Sequence, residues 1–310
     1  MDLRLESSFR GLSAVDSLTA WLSGTQGVFA FTQDGGVAWV TGTVPGADSL
    51  DFRDVESFSG GVAYLMSAGG GPLSRLYKTT DWGETWALQH TNPLENGFFN
   101  GMTFWDRNNG MVVGDPVDGS LFLLATNDGG ENWQRLEGEH IPRVFEGEYG
   151  FAASGTNIAA FGESGLAVVS GGPVARVFIS PDRGESWRVT EVPMASGNAS
   201  SGIFSIGFGV DGAVVLVGGD YQDPERTLGT VAFSANGGVD WALVPEPSPV
   251  GFRSCVAWND DSRWPMWVAV GTSGSSFSMD GGGSWVNFDD GPFNVVAFSG
   301  PMGWAAGPDG

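Results

Sequence analysis

The sequence predicts an all-β protein, a seven-bladed β-propeller of four-stranded antiparallel blades that spans residues 1–310 as a single domain. A short motif, Ser/Thr-x-Asp-x-Gly-x-x-Trp, occurs six times, and successive copies begin 44 to 54 residues apart. This spacing matches the length of one propeller blade. Short apolar and β-branched runs flank each copy, as expected for strands on either side of a hairpin turn. No window shows sustained helical periodicity.

Each copy of the motif is predicted to form the turn between the third and fourth strands of a blade. Its acidic side chain can accept hydrogen bonds from backbone N–H groups, its glycine allows a positive φ, and its tryptophan can pack between neighbouring blades. The predicted structural residues are Asp34, Asp81, Asp128, Asp182, Asn236 and Asp280, with Trp39, Trp86, Trp133, Trp187, Trp241 and Trp285. One carboxylate per turn is too few for calcium, which binds six or more oxygens.

The motif resembles the Asp-box of the BNR repeat, which occurs in sialidases, sortilin-type receptors and the photosystem II stability/assembly factor family. The resemblance covers nearly the whole chain and implies a propeller, but families that carry the Asp-box have unrelated functions. Resemblance to the assembly factor family implies a non-catalytic scaffold. Sialidases also use an arginine triad on a propeller of this kind, but the resemblance ends there, because the Phe/Tyr-Arg-Ile-Pro signature is absent and His140-Ile-Pro-Arg143 has a different order.

The composition excludes several classes of partner. The formal net charge is −22, and Lys78 is the one lysine among 14 basic residues. Such a chain lacks the basic stripe of a duplex nucleic-acid binder and is repelled by anionic membrane surfaces. The sequence contains no run of 18 apolar residues, so it predicts no membrane-spanning helix. Cys255 has no second cysteine to pair with, and His90 and His140 show no ligand spacing. We therefore expect no metal and no cofactor. We also expect the protein to be a monomer.

Both ends of the chain are predicted to build the last blade. Residues 293–298 and 303–307 would form its first two strands, and Asp2–Ser8 would form its outermost strand. Closing the ring through both termini removes exposed sheet edges. The sequence ends at Gly310 where a third strand would begin, so this blade is expected to be one strand short.

The first residues show no signal peptide, because residues 1–6 are charged and lead directly into a predicted strand. The protein is therefore expected to be either cytoplasmic or an exported protein whose leader is missing from the sequence. The abrupt start inside a structural element favours the second.

The blade topology predicts a polar mouth on the axis, on the face opposite the repeated turns. The start of the first strand and the end of the second strand of each blade share that face. Aromatic-polar pairs mark several inner-strand starts and place a cationic arc there: Arg10, Arg53 and Arg253, with Asn294 between them. Glycine-acidic pairs place an anionic arc opposite: Asp115, Glu163 and Asp220. These seven residues are the predicted ligand-binding set.

Two functions from different classes follow from this mouth. Convergent arginines can bind a carboxylate, phosphate or sulfate through forked hydrogen bonds. A non-catalytic scaffold would use them to bind a small anionic ligand or a protein segment. A carbohydrate-active glycoside hydrolase would instead bind a carbohydrate at the mouth and use two of the three carboxylates. The sequence contains no identifiable motif for a catalytic nucleophile, and the catalytic residues of an enzyme would be unknown. It therefore favours a binding function over enzymatic activity. A structural module from a larger protein is a third alternative.

Overall fold

A computed structural model describes residues 7–261 and 263–308. Six four-stranded antiparallel sheets follow one another along this part of the chain. Blade one contains β1 (Phe9–Ala14), β2 (Ala20–Gly24), β3 (Val28–Thr32) and β4 (Val40–Thr43). Blade two contains β5 (Phe52–Phe58), β6 (Val62–Ser67), β7 (Arg75–Thr79) and β8 (Ala87–Thr91), with a short 3-10 helix at Gly71–Leu73. Blade three contains β9 (Phe99–Phe104), β10 (Gly110–Val117), β11 (Ser120–Thr126) and β12 (Gln134–Arg135).

The second half of the chain repeats this arrangement. Blade four contains β13 (Ile158–Phe161), β14 (Gly165–Val169), β15 (Arg176–Ser180) and β16 (Arg188–Glu191). Blade five contains β17 (Ser201–Phe208), β18 (Val214–Asp220), β19 (Val231–Ser234) and β20 (Ala242–Leu243). Blade six contains β21 (Cys255–Asn259), β22 (Met266–Gly271), β23 (Gly274–Ser278) and β24 (Val286–Asp289). A two-stranded sheet of β25 (Val295–Ser299) and β26 (Met302–Ala306) follows.

The first strand of each sheet lies next to the axis. The inner strands contact one another in ring order, from β1 through β5, β9, β13, β17 and β21 to β25, which contacts β1 again. The four-stranded, all-β blades are therefore confirmed. No helix in the described ranges is long and apolar enough to cross a membrane.

The hydrophobic core is a series of clusters between neighbouring blades. Val177 of blade four, for example, packs in one cluster with Ile206 and Leu216 of blade five. The second strand of a blade is covered on both faces, and β14 is buried along its whole length. This burial explains its continuous apolar run. Each fully buried aliphatic side chain stabilises the fold by about 1.5–3 kcal/mol.

The prediction of seven four-stranded blades is wrong. Within residues 7–261 and 263–308, six blades are complete, and β25 and β26 form only a two-stranded sheet. A turn at Pro308 follows β26 almost at once, so the described chain supplies no outer strands to this sheet. Backbone contacts close the ring instead, since the Phe9 amide donates a hydrogen bond to the Gly307 carbonyl at 3.0 Å.

The predicted outermost strand, Asp2–Ser8, falls mainly outside the described residues. Its last two residues are described, and they contact blade one. The Ser7 hydroxyl donates to the Thr25 carbonyl at 3.1 Å, and the Ser8 amide donates to the Thr25 hydroxyl at 3.1 Å.

The six repeated turns share one hydrogen-bond pattern, which blade three illustrates. The Thr126 hydroxyl donates to Asp128 Oδ1 at 2.9 Å and accepts from the Gly130 amide at 2.8 Å. Asp128 Oδ1 also accepts from the Asn132 amide at 2.9 Å. Asn236 makes the equivalent bonds through its amide oxygen in blade five. The turns are thus closed by side chains that replace missing backbone partners.

The motif tryptophans pack beside these turns. Trp285 is the most buried of them, at 5% exposure, and its indole N–H donates to the Gly282 carbonyl at 2.9 Å. Trp39, Trp86, Trp133, Trp187 and Trp241 are partly buried against the clusters between blades. Their rings therefore lie between one blade and the next.

Candidate functional site

A cavity of about 510 Å³ opens on the axis at the face opposite the repeated turns. We call it the axial mouth. Its wall comes from blades one, two, three, five and six, from the segment that precedes blade four, and from the end of the chain that leads into the two-stranded sheet. Its polar lining comes from Arg10, Arg53, Asn100, Asp115, Ser254, Thr272 and Asn294. Its aromatic lining comes from Phe98, Tyr149, Phe151, Phe204, Tyr221 and Phe252.

Two arginines at the start of neighbouring inner strands form the cationic side of the mouth. Arg53 donates from Nε to Asp51 Oδ2 at 2.7 Å and from Nη1 to the Ala152 carbonyl at 3.1 Å. Arg10 makes a longer contact, 3.5 Å from Nη1 to the Ala153 carbonyl. Burial, and secondly repulsion from Arg53, lower the pKa of Arg10, while Asp51 acts in the opposite direction. Two guanidinium groups therefore share one nearby carboxylate.

Asp115, near the end of β10, is the acidic group of the mouth. Its Oδ1 accepts a hydrogen bond from the Asn100 side-chain amide at 3.0 Å. Burial raises the pKa of Asp115, and the bond from Asn100 offsets this only in part. The carboxylate is thus partly desolvated and has a neutral partner, which leaves its charge poorly compensated.

Asn294 joins the two-stranded sheet to blade one at the rim of the mouth. Its side-chain amide donates to the Phe9 carbonyl at 2.8 Å and lies 3.3 Å from the Ser8 hydroxyl. Only 4% of the residue is exposed. The amide hydrogens of Asn294 are therefore occupied by the protein itself.

An aromatic cluster forms the apolar side of the mouth. Phe151 stacks on Phe204 with ring centroids 3.8 Å apart, and Phe252 meets Phe204 edge to face at 4.8 Å. These three rings are buried, with Tyr149 packed against them. Sequence reasoning missed this cluster, although aromatic residues beside the inner strands were visible, because it considered only their polar neighbours.

A segment before β13 crosses the axis and forms the floor of the mouth. We call residues 150–156 the floor segment. The Ser154 hydroxyl donates to the Ser254 carbonyl of blade six at 2.8 Å, and the Thr156 hydroxyl donates to Ser205 of blade five at 2.7 Å. Together with the bonds from Arg10 and Arg53, these contacts hold the segment from several sides. Residues 150–153 of this segment line the mouth.

A close contact requires glycine within the floor segment. Gly155 has φ of +76°, and a Cβ atom there would lie 2.2 Å from Asp54 Oδ1. Asp54 is a buried residue of β5, and its Oδ2 accepts from the Met102 amide of blade three at 2.6 Å. Asp54 thereby joins two blades directly under the floor.

Arg253 lies away from the mouth. It is 1% exposed and donates to Ser273 and Ser276 at 2.8 and 2.9 Å within blade six. Burial lowers the pKa of Arg253 to about 10. The reason is register, because β21 begins only at Cys255 and the arginine precedes the strand.

Glu163 and Asp220 are also not brought into the mouth. Glu163 lies in the turn between β13 and β14, where its carbonyl accepts from Arg183 at 3.0 Å in the repeated turn of blade four. Asp220 ends β18 on the expected face, but it accepts from Asn198 at 3.1 Å and from the Gln222 amide at 2.9 Å. Of the seven predicted residues, the structure gathers Arg10, Arg53, Asn294 and Asp115 around one cavity.

This arrangement is suited to binding a carboxylate beside an apolar group. Among the described residues, Asp115 is the one carboxylate that lines the mouth. Glycoside hydrolysis canonically uses a pair of carboxyl groups across the scissile bond. In the described ranges, no group of three or more His, Cys, Asp or Glu residues could hold a metal ion.

Neither a protein-family model nor a curated protein matches the sequence. Solved structures do match the fold. A structure of YCF48 bound to D1 peptide has a TM-score of 0.69 and 21% identity, covering 100% of this chain and 93% of that one. YCF48 from Cyanidioschyzon merolae has a TM-score of 0.67 and 19% identity, covering 99% and 95%. The Neurospora crassa Pan2 WD40 domain has a TM-score of 0.62 and 10% identity, covering 97% and 86%. At these identities the likeness shows the β-propeller fold alone.

Proposed function

We propose that this protein is a non-catalytic scaffold that binds a protein segment in the axial mouth. A carboxylate of the segment would lie on Arg10 and Arg53, and an apolar side chain next to it would pack on Phe151, Phe204 and Phe252. The observation that carries the proposal is the lining of one cavity of about 510 Å³ by two guanidinium groups and an aromatic cluster.

The energetics favour an anionic ligand at this position. The guanidinium of Arg10 is partly buried and has no carboxylate within 4 Å among the described residues. This is costly, because its charge has lost part of its hydration. An incoming carboxylate restores two forked, charge-assisted hydrogen bonds. The aromatic rings exclude water from that contact and so strengthen it. A carboxylate with an adjoining apolar group therefore gains more here than either part alone.

The comparisons support a protein segment as the ligand class. One of the structural neighbours is described as bound to a D1 peptide, so a propeller of similar shape holds a peptide. We further propose that the six repeated turns are Asp-boxes with a purely structural role. Their five carboxylates, and the amide oxygen of Asn236, are engaged by hydroxyl and backbone N–H groups on the opposite face.

Calorimetric titration with a minimal probe tests the proposal. N-acetylphenylalanine carries one carboxylate beside one aromatic ring, and its C-terminal amide is the matched neutral probe. We expect the acid to bind, and Arg10→Gln and Arg53→Gln each to weaken it by about tenfold, since a charge-assisted hydrogen bond contributes about 1.5–3 kcal/mol.

Arg263→Gln is the control variant for this titration. Arg263 is an exposed arginine whose side chain pairs with Asp261 at 2.7 Å, and it is not among the residues that line the mouth. Its replacement should leave the affinity unchanged. Equal affinity for the acid and the amide, or equal weakening by all three variants, would contradict the proposed site.

A further inference from the structure

A second cavity continues the axial mouth outward between blades three and four. It has a volume of about 490 Å³ and shares Asp115 and Tyr149 with the mouth. We call it the side cavity. Pro116, Phe145 and Glu146 are among its remaining lining residues. A segment bound in the mouth could therefore extend into the side cavity past Tyr149 without leaving the surface.

The free charge of the side cavity is negative. Glu148 also lines it, but this buried carboxylate is neutralised by Arg176, whose Nε and Nη2 lie 2.8 and 2.5 Å from its oxygens. Asp115 and Glu146 have no ion pair within 4 Å among the described residues. The two lining carboxylates that remain are thus available to a cation.

Two aromatic rings line the same cavity. The Phe145 side chain is 54% exposed, and its ring already holds the Arg176 guanidinium at 4.7 Å. Tyr149 lies at the junction with the mouth, where its hydroxyl donates to the Ala199 carbonyl and fixes the ring. Such rings can cover the aliphatic stem of a long basic side chain and attract its charged head.

We infer that the side cavity binds a lysine or arginine side chain of the segment whose carboxylate occupies the axial mouth. The inference rests on the proposed function and adds the chemistry of the partner, an extended segment with a basic residue close to a carboxylate. The basic head would lie between Asp115 and Glu146, and its stem would lie along Tyr149. Burial raises the pKa of Asp115 in the free protein, and a cation at this place relieves that cost.

Peptide titrations test the inference. The probes are acetyl-Lys-Phe, acetyl-Lys-Ala-Phe and acetyl-Lys-Ala-Ala-Phe with a free terminal carboxylate, each matched by a peptide with norleucine in place of lysine. A second series carries an amidated terminus and an aspartate before the phenylalanine, which separates a terminal carboxylate from an acidic side chain. At one spacing or more, we expect lysine to bind about tenfold tighter than norleucine.

Substitutions in the side cavity test whether the preference for lysine over norleucine arises there. The double variant Asp115→Asn with Glu146→Gln should abolish the preference for lysine. Glu146→Gln alone should reduce that preference and keep the affinity for the norleucine peptide, because Glu146 lines the side cavity and is not among the residues that line the mouth. Asparagine can still accept the bond from Asn100, so the local structure is retained. Glu131→Gln removes an exposed carboxylate from the repeated turn of blade three and serves as the control, with the preference unchanged.

The outcomes separate the two claims. If lysine and norleucine peptides bind equally at every spacing while Arg10→Gln weakens both, the inference is overturned and the proposed function stands. If no peptide of either series binds, both are overturned. A second copy of this chain is the other possible occupant of the side cavity, and sedimentation of the protein alone tests for it. Wild-type dimers that dissociate in the double variant would show a second copy in the side cavity and would overturn the inference.

Discussion

The guanidinium of Arg10 and the carboxylate of Asp115 line the same cavity, and in the described part of the chain neither forms an ion pair within 4 Å. Both are partly buried. Opposite charges that serve only stability are usually paired when they leave water. Two unpaired charges across one cavity instead resemble the two poles of a binding site for a ligand with both signs of charge.

Removing the Arg10 charge should therefore not weaken the fold. Arg10→Met keeps the length of the side chain and removes the desolvated cation next to Arg53. We expect an unchanged or slightly higher free energy of unfolding, by up to about 1 kcal/mol, together with loss of carboxylate binding. Urea denaturation beside the probe titration measures both. A loss of stability above about 2 kcal/mol would identify Arg10 as a structural residue.

The motif tryptophan of blade six should be essential for packing. Trp285 is 5% exposed and belongs to the cluster between blades five and six, so Trp285→Ala should destabilise the protein by about 3–5 kcal/mol. Trp264→Ala is the matched control, because Trp264 is 62% exposed and its loss should change stability by about 0.5 kcal/mol or less. Similar melting temperatures for the two variants would show that Trp285 does not stabilise the contact between blades.

Asp54 should make the fold less stable as the pH rises. Burial raises the pKa of Asp54 from its ordinary value of 3.8 to about 7. The folded state therefore retains a proton that the unfolded state has lost, and stability falls between about pH 4 and pH 7. Burial, and secondly Asp54 itself, also raise the pKa of Glu56 on the same strand.

Asp54→Asn should flatten that pH dependence. The asparagine oxygen can still accept the bond from the Met102 amide, while its neutral side chain has no proton to lose. Urea midpoints measured from pH 4 to pH 8 should fall less steeply in the variant, with a remainder due to Glu56. Parallel curves for variant and wild type would contradict a protonated Asp54.

The floor segment should depend on Gly155. Gly155→Ala combines a strained positive φ with a Cβ only 2.2 Å from Asp54 Oδ1. Gly281→Ala is the matched control, because its φ of +78° is equally strained but nothing lies within 4 Å of its Cβ position. We expect the control to lose about 1 kcal/mol and Gly155→Ala to lose about 1–3 kcal/mol more. Equal losses of stability in the two variants would show that the floor segment can shift to accommodate the added Cβ atom.

The sequence was sufficient for the parts of the structure that repeat. Spacing and turn chemistry predicted the blades, because each repeat forms its contacts with its neighbours. Arg10 and Arg53 line one cavity, and each directly follows an aromatic residue that begins an inner strand. The same alignment misplaced Arg253, because two further residues separate Phe252 from the start of β21.

The non-repeating parts could not be read from periodicity. The inner strand of blade four begins at Ile158, after the floor segment, and not near Tyr149. This insertion shifts the register of blade four and moves Glu163 into a turn on the other face. The predicted blade count was wrong for a related reason. The sequence near residue 293 correctly indicated an inner strand, which became β25, but an inner strand does not show that outer strands will pair beside it. In the described residues, only β26 pairs with β25.

The position of a bound carboxylate shows most directly whether the axial mouth binds an acidic segment. A crystal structure of the protein soaked with N-acetylphenylalanine should show the carboxylate within hydrogen-bond distance of the guanidinium groups of Arg10 and Arg53, with the ring on Phe204. A probe found only outside the axial mouth, or a mouth that stays empty while calorimetry records binding, would contradict carboxylate binding by Arg10 and Arg53.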